Sequence, residues 1–325
     1  MRSVLKQIHH RRKDVLAGAS AGQNCASVAS NQEEAFVFAT KAVTCAAVRP
    51  VSYGIHAAVN SVASSGAKAA GVMLTIFLPP EVREEEIRGM MQDAERTCGT
   101  LGIEILGSHP TVTDAVHRPV LSVSGTGKVK KDSLLQAGNA KPGQEIVITK
   151  WVGLEATALL ASEREQELKK RFPAELIETA EEFAGYLSAV KEASAAQECG
   201  ANAMYALSEG GVFAALWEMA SAAGVGMDVD LKKIPIRQET VEICEYFGIN
   251  PYQILSSGSM MIAADNGWAL VRELEKSGIP AAVIGTFTSG NDRIIRNGEE
   301  CRYLDKPQMD EIYKVMEQEI ETCQS

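Results

Sequence analysis

Paired cysteines, long apolar runs and an excess of positive charge are all missing from this 325-residue chain, and each absence removes a class of function. The longest nearly unbroken apolar stretch, Ala69 to Leu78, is far short of the roughly 18 to 20 residues that span a bilayer, so no membrane helix is expected. Lysine and arginine number 32 against 42 aspartates and glutamates, for a net charge of −10. A surface of that sign repels phosphate backbones and anionic lipid, which argues against nucleic acid and membrane partners. The cysteines stand at 25, 45, 98, 199, 244, 301 and 323 with no Cys-x-x-Cys pair, and none of the histidines at 9, 10, 56, 109 and 117 falls at a metal-ligand spacing from one. No zinc site is expected, and the scattered thiols read as reduced core filler in a cytoplasmic protein. Near the N-terminus, Arg2, Lys6, Arg11, Arg12 and Lys13 accompany too few apolar residues for a signal-peptide core and read as a short amphipathic or frayed leader.

What is present is ordinary globular composition, 46% apolar and 23% charged, in a length that suggests two domains at about 150 residues each. Strand-like runs at Val37 to Val43, Val72 to Leu78, Ile103 to Leu106 and Val120 to Val129 alternate with a helix start at Ile55 to Ala63 and a helical pattern through Ile87, Met90, Met91, Ala94 and Cys98. Gly107-Ser108-His109-Pro110 follows the third strand as a loop. Lys141-Pro142-Gly143-Gln144 is a turn and the expected domain boundary, giving residues 1–140 and 141–325. Beyond it come a strand at Glu145 to Thr149 and helices at Thr157 to Lys170 and Ala174 to Lys191. A third helix opens on Gly210-Gly211 and stops near Gly224. Strands at Met227 to Leu231, Ser259 to Ala264 and Ala281 to Thr286, helices at Glu239 to Phe247 and Gly267 to Lys276, a hairpin at Asn297-Gly298 and a closing helix at Gln308 to Glu321 complete the reading. The fold class is α/β (α+β): two domains with mixed sheets.

Several stretches, taken together, resemble a known family. Ala206 to Asp230, Ile234-Pro235-Ile236-Arg237 and Ile254 to Ile262 are similar to the C-terminal domain of the aminoimidazole ribonucleotide (AIR) synthetase superfamily. Thr149 to Thr157 resembles the linker motif of its hydrogenase maturation factor-like branch, and Val59-Asn60-Ser61-Val62-Ala63 and Gly107 to Thr113 resemble that branch's Asn-Asp and Gly-Gly-His-Thr-Glu-Val-Thr motifs. The resemblance implies a homodimer whose N-terminal sheets join into a barrel, ATP in a cleft between domains, and magnesium held by N-terminal aspartates.

At those aspartates the chain departs from the pattern. Asn24, Lys41 and Ser61 stand at the three N-terminal metal positions, and Ala206 at a fourth acidic position in the second domain. Magnesium needs oxygen ligands in octahedral array, so four such losses together point to a site without magnesium. The expected ligand is then a nucleotide or phosphate, held by candidates that each have a plainer reading beside the functional one. Gly210 and Gly211 could cradle an anion at a helix N-terminus, or provide only a tight helix entry. Ser208, Asn60 and Thr113 are polar neighbours in the same motifs. His109 is equally well a structural histidine. Glu209 could touch a ligand or favour the helix that follows. Lys41 could supply the charge that the metal supplies in relatives, or point to solvent. The C-terminus lacks the family's Pro-Arg-x-Cys ending, and Cys323 reads as incidental. Two functions follow. One is a non-catalytic ligand-binding or regulatory protein, paired with itself, an intact paralogue or a maturation partner; the other is an ATP-dependent enzyme with an altered site.

Overall fold

A computed structural model describes residues 11–19, 22–45 and 49–316. The basic N-terminal leader, the last part of the expected closing helix and Cys323 lie outside the described residues. Mixed α/β structure is built on two sheets, one from strands within residues 15–130 and the other from strands within residues 145–303.

The first sheet has the order β1-β2-β3-β6-β4-β5, where β1 is Val15–Ala17, β2 Ala26–Ala29, β3 Glu34–Val43, β4 Lys68–Leu78, β5 Glu104–Val112 and β6 Val120–Lys130. Helix α1, Pro50–Ala63, lies on its inner face; proline at the first position and small or branched apolar residues along it suit a buried helix. It packs very close to the sheet. A Cβ at Gly54 would come within 2.7 Å of Val123 Cγ2, so only glycine fits there. Helix α2, Glu84–Leu101, crosses over between the parallel neighbours β4 and β5 and begins with the acidic turn that its macrodipole favours.

Strand alternation decides the faces. Val72, Leu74, Ile76 and Leu78 point into the core under α1 and α2, while Phe38, Met73 and Phe77 on the other face are 46%, 57% and 38% exposed. That outer face has no cover within the chain among the described residues.

The second sheet has the order β13-β12-β9-β11-β7-β10-β8, with β7 Glu145–Thr149, β8 Ala203–Ala206, β9 Gly226–Asp230, β10 Met260–Ala264, β11 Ala281–Thr288, β12 Arg293–Asn297 and β13 Glu300–Tyr303. Its central strands are buried on both faces, while β13 at the edge is exposed. Ile146 and Ile148 pack with the helix Gly211–Ala223 on one side, and Val147 with the helices Val190–Glu198 and Gly267–Lys276 on the other.

Three helical expectations need correcting. The pattern at 157–170 splits into Leu154–Glu163 and Glu165–Leu168, the first helix ending where Arg164 leaves helical geometry (φ −114°, ψ 22°). The pattern at 174–191 stops at Glu182 and tightens into a 3₁₀ turn at Phe183–Tyr186 before a separate helix at Val190–Glu198. Of the closing helix only Tyr313–Met316 is helical among the described residues. No described helix is long and apolar enough to cross a membrane.

Candidate functional site

The two sheets meet through polar side chains. Lys41, on the inner face of β3 and half-buried, donates from Nζ to Ser208 Oγ at 3.2 Å. Asn24 donates from Nδ2 to the carbonyl of Ala206 at 3.0 Å. Three of the four positions at which the resemblance leads us to expect metal-site carboxylates (Asn24, Lys41, Ala206), together with Ser208, are thus brought to one junction. β8 delivers Ala206 there, and the turn Ser208-Glu209-Gly210 follows it into the helix Gly211–Ala223.

Acids surround the lysine. Glu155, buried in the first turn of the helix Leu154–Glu163, accepts the Ser257 amide at 3.1 Å. Burial pushes its carboxyl above the usual carboxylate range, against the pull of Ser257 and Lys41. Burial likewise holds the Lys41 ammonium below its ordinary value, and the charges of Glu155, Glu209 and Cys25 oppose that. The Cys25 thiol is pushed up to about 11 by burial, although Lys41 favours its thiolate. Burial thus disfavours the thiolate form on which cysteine reactivity depends.

The glycine turn has an anion on it already. Gly210, with φ 76°, donates its amide to Asp310 Oδ2 at 2.6 Å, and Ile312 donates to Oδ1 at 3.0 Å. Asp310 is buried, and burial lifts its carboxyl to about 7 in spite of both hydrogen bonds. The turn cannot be built from larger residues, because a Cβ at Gly211 would lie 2.6 Å from the Tyr252 carbonyl oxygen. Tyr313, three residues after Asp310, places its hydroxyl 3.0 Å from Thr44 Oγ1 just beyond β3. The segment around Asp310 thereby ties the two halves together beside the lysine.

Other expected site residues lie elsewhere. Asn60 is buried and engaged through both ends of its amide: it donates to the Leu187 carbonyl at 2.7 Å and accepts the Ala189 amide at 2.8 Å. That makes it a clamp on the 187–189 segment. Ser61 is fully buried and donates to the Ala57 carbonyl at 3.0 Å, within its own helix. His109 belongs to strand β5, not to a loop, and is exposed on the sheet edge opposite Thr75 of β4. The strand runs on through Pro110 because β5 is an edge strand, where a missing amide costs no ladder bond. Thr113 is half-buried and accepts the Ala115 amide at 3.2 Å, a local turn bond. Glu209 is exposed.

This donor set does not fit magnesium. Lys41 brings an ammonium, Ala206 only a carbonyl already bonded, and the Ser61 hydroxyl is spent inside a helix. Among the described residues no group of three or more His, Cys, Asp or Glu side chains is placed to hold a metal ion. What the junction can do is attract an anion through the Lys41 ammonium and the Ser208 hydroxyl, since the Gly210 amide is given to Asp310 and the Gly211 amide to the Ser208 carbonyl.

Sequence reasoning missed Glu155 and Asp310 as site residues. Glu155 had a signal, since it falls inside the linker motif at 149–157. Asp310 had none beyond its Asx-type bond to Ile312, which any turn shows.

Comparison with known proteins agrees with this architecture. The family model "AIR synthase related protein, N-terminal domain" matches residues 22–129, and the model for the C-terminal domain of the same family matches residues 141–296. A protein of Methanocaldococcus jannaschii named for hydrogenase expression and formation is 24% identical over 246 residues, covering 74% of this chain and 71% of that protein. Among solved structures, the complex of the hydrogenase maturation proteins HypE and HypF contains a chain that superposes with TM-score 0.72 at 18% identity, over 86% of this chain and 93% of that one. The hydrogenase maturation protein HypE in complex with ATP superposes with TM-score 0.68 at 16% identity, over 95% and 91%.

Proposed function

The chain belongs to the AIR synthase related family, and from that premise we propose that it binds a nucleotide or phosphorylated ligand at the Lys41 junction without magnesium, in a ligand-binding or regulatory role. The observation that carries this reading is the Lys41 to Ser208 hydrogen bond, which sets a positive charge beside the glycine turn where relatives are expected to hold a metal-bound carboxylate. A solved relative described as bound to ATP supports the ligand class. Phosphoryl transfer depends on metal-assisted positioning and charge neutralisation, so no magnesium-dependent turnover is expected. A turnover above about 0.1 per second, close to the 1 to 100 per second of kinases, would overturn the non-catalytic part of this reading.

A second reading, an ATP-dependent enzyme of the hydrogenase maturation type with an altered site, is favoured by one observation. Glu155, Glu209 and Asp310 all act electrostatically on this junction, so it is not short of carboxylates. An ATPase assay with and without magnesium separates the two.

We also propose a homodimer through the outer face of the first sheet. Phe38, Met73 and Phe77 make that face apolar around a stripe of small hydroxyls, including Thr40 and Ser124, whose oxygens lie 3.0 Å apart. The expected result is a dimer mass by light scattering at micromolar concentration. Met73→Glu with Phe77→Glu should halve it, while a monomeric wild type would remove the proposal.

Asp310 gives the stability a pH dependence. Its carboxyl titrates near 7 in the folded protein against 3.8 ordinarily, so the folded protein holds a proton that the unfolded chain has released. The stabilisation from this group is therefore full in acid and lost as pH rises through about 7. Asp310→Asn should flatten the fall in Tm between pH 5.5 and 8 by about 2–4 °C, on the order of 1 kcal/mol. Parallel melting profiles for the variant and the wild type would show that Asp310 stays ionised.

A further inference from the structure

A cleft of about 750 Å³, sharing no lining residue with the Lys41 junction, opens at the N-terminal end of α1. Its charged wall holds Arg49, Arg96 and Arg118 with His117, against the carboxylates Asp93, Glu81 and Glu86, the last of them paired with Arg83 at 3.2 Å. Arg49 is the residue before Pro50 and takes left-handed backbone geometry (φ 51°, ψ 43°), with no side-chain hydrogen bond capping the helix. Neither Arg49 nor Arg118 has an ion-pair partner among the described residues, in a chain that carries ten more acids than bases. Pro50 has no amide to offer, so the donors at this end of α1 are the amides of Val51 and Ser52, which have no partner within the helix.

The opposite charge is present too. Asp93 is 7% exposed; its Oδ1 accepts from Arg96 at 3.0 Å, but its Oδ2 is buried with no hydrogen-bond partner. Buried carboxylate oxygens without donors are rare and point to a group that is absent. Arg96 is largely exposed, so its side chain is free to move as a ligand enters.

We propose that this cleft is a binding site for a small phosphate monoester that also carries an ammonium group, with the phosphate on Arg49, Arg118 and the α1 N-terminus and the ammonium on Asp93. Two guanidinium forks and a helix N-terminus match phosphate oxygens in geometry as well as charge. The unpartnered Asp93 Oδ2 requires a donor, which the ligand's ammonium would supply beside the Arg96 guanidinium already on Oδ1. The cleft volume falls in the range that encloses small metabolites.

The test is calorimetry on the full chain with O-phosphoethanolamine and with inorganic phosphate as probes. Saturable binding is expected for O-phosphoethanolamine, at least about tenfold tighter than for phosphate. Arg118→Ala should weaken both probes by about tenfold or more. Arg49→Gly should do the same without lowering Tm, since glycine adopts the left-handed conformation freely. Asp93→Asn should abolish the preference for the ammonium-bearing probe and leave phosphate binding intact. Absence of saturable binding, or unchanged affinities in Arg49→Gly and Arg118→Ala, would overturn the proposal. Heat that disappears in Lys41→Ala but survives in Arg118→Ala would belong to the interdomain junction and would also count against it.

Discussion

Replacing Lys150 by alanine is expected to lower Tm by on the order of 10 °C, the largest stability effect of any single change considered for this chain. Lys150 follows β7 in left-handed backbone geometry (φ 54°) and is 5% exposed. Its Nζ lies 2.7 Å from Glu192 Oε1 and donates to the carbonyls of Tyr186 at 2.8 Å and Ser188 at 2.6 Å. Burial works against the ammonium, and Glu192 opposes that effect. Removing the lysine strands a buried glutamate and two carbonyls, and breaking one half of such a pair typically costs about 3–5 kcal/mol. The damage should spread, because the 186–189 segment is held on its other side by Asn60 from the first sheet's helix. Lys150→Met together with Glu192→Leu should recover most of the loss, since an apolar pair of similar volume leaves no charge unpaired. A single variant that melts within about 2 °C of wild type would mean that the pair contributes little.

Strand β6 was legible in the sequence because its apolar residues alternate, and β3 and β4 because each is a short apolar run, Val72 to Leu78 being closed by Pro79 and Pro80. The helix at Gly211–Ala223 was legible at both ends, from the glycine pair that starts it and from Gly224, which ends it at φ 67°. The short strands β1 and β2 carry too few residues for any period to show. The break at Arg164 was hidden because nothing in Glu163-Arg164-Glu165 is a helix breaker. The Lys41 position was legible from motif comparison, but its partners were not. Ser208 and Glu155 lie 167 and 114 residues away along the chain, and only tertiary structure joins them. Asn60 shows the opposite error: a residue that matched a motif turned out to clamp backbone.

The largest effect on binding is expected from Lys41→Ala. An ammonium about 4 Å from a phosphate oxygen gains roughly 4 kcal/mol at an effective dielectric of 20, before desolvation is subtracted. A net loss of about 1.4 to 3 kcal/mol would weaken a phosphorylated ligand by roughly 10- to 100-fold. The remaining Glu155 and Glu209 would then repel the anion, so the upper end of that range is expected. Unchanged affinity would mean that the ammonium serves only Ser208. The reverse experiment restores carboxylates: Asn24→Asp with Lys41→Asp should make binding depend on magnesium. Ser61→Asp is best left out, because it would place a carboxylate at a fully buried position inside α1.

The most direct test of the account is calorimetric titration of the wild-type chain with ATP, once in magnesium and once in a chelator. The account predicts saturable binding with the same affinity in both buffers, because Lys41 carries the charge that a metal would otherwise supply. Binding that appears only with magnesium, or no binding in either buffer, would contradict it.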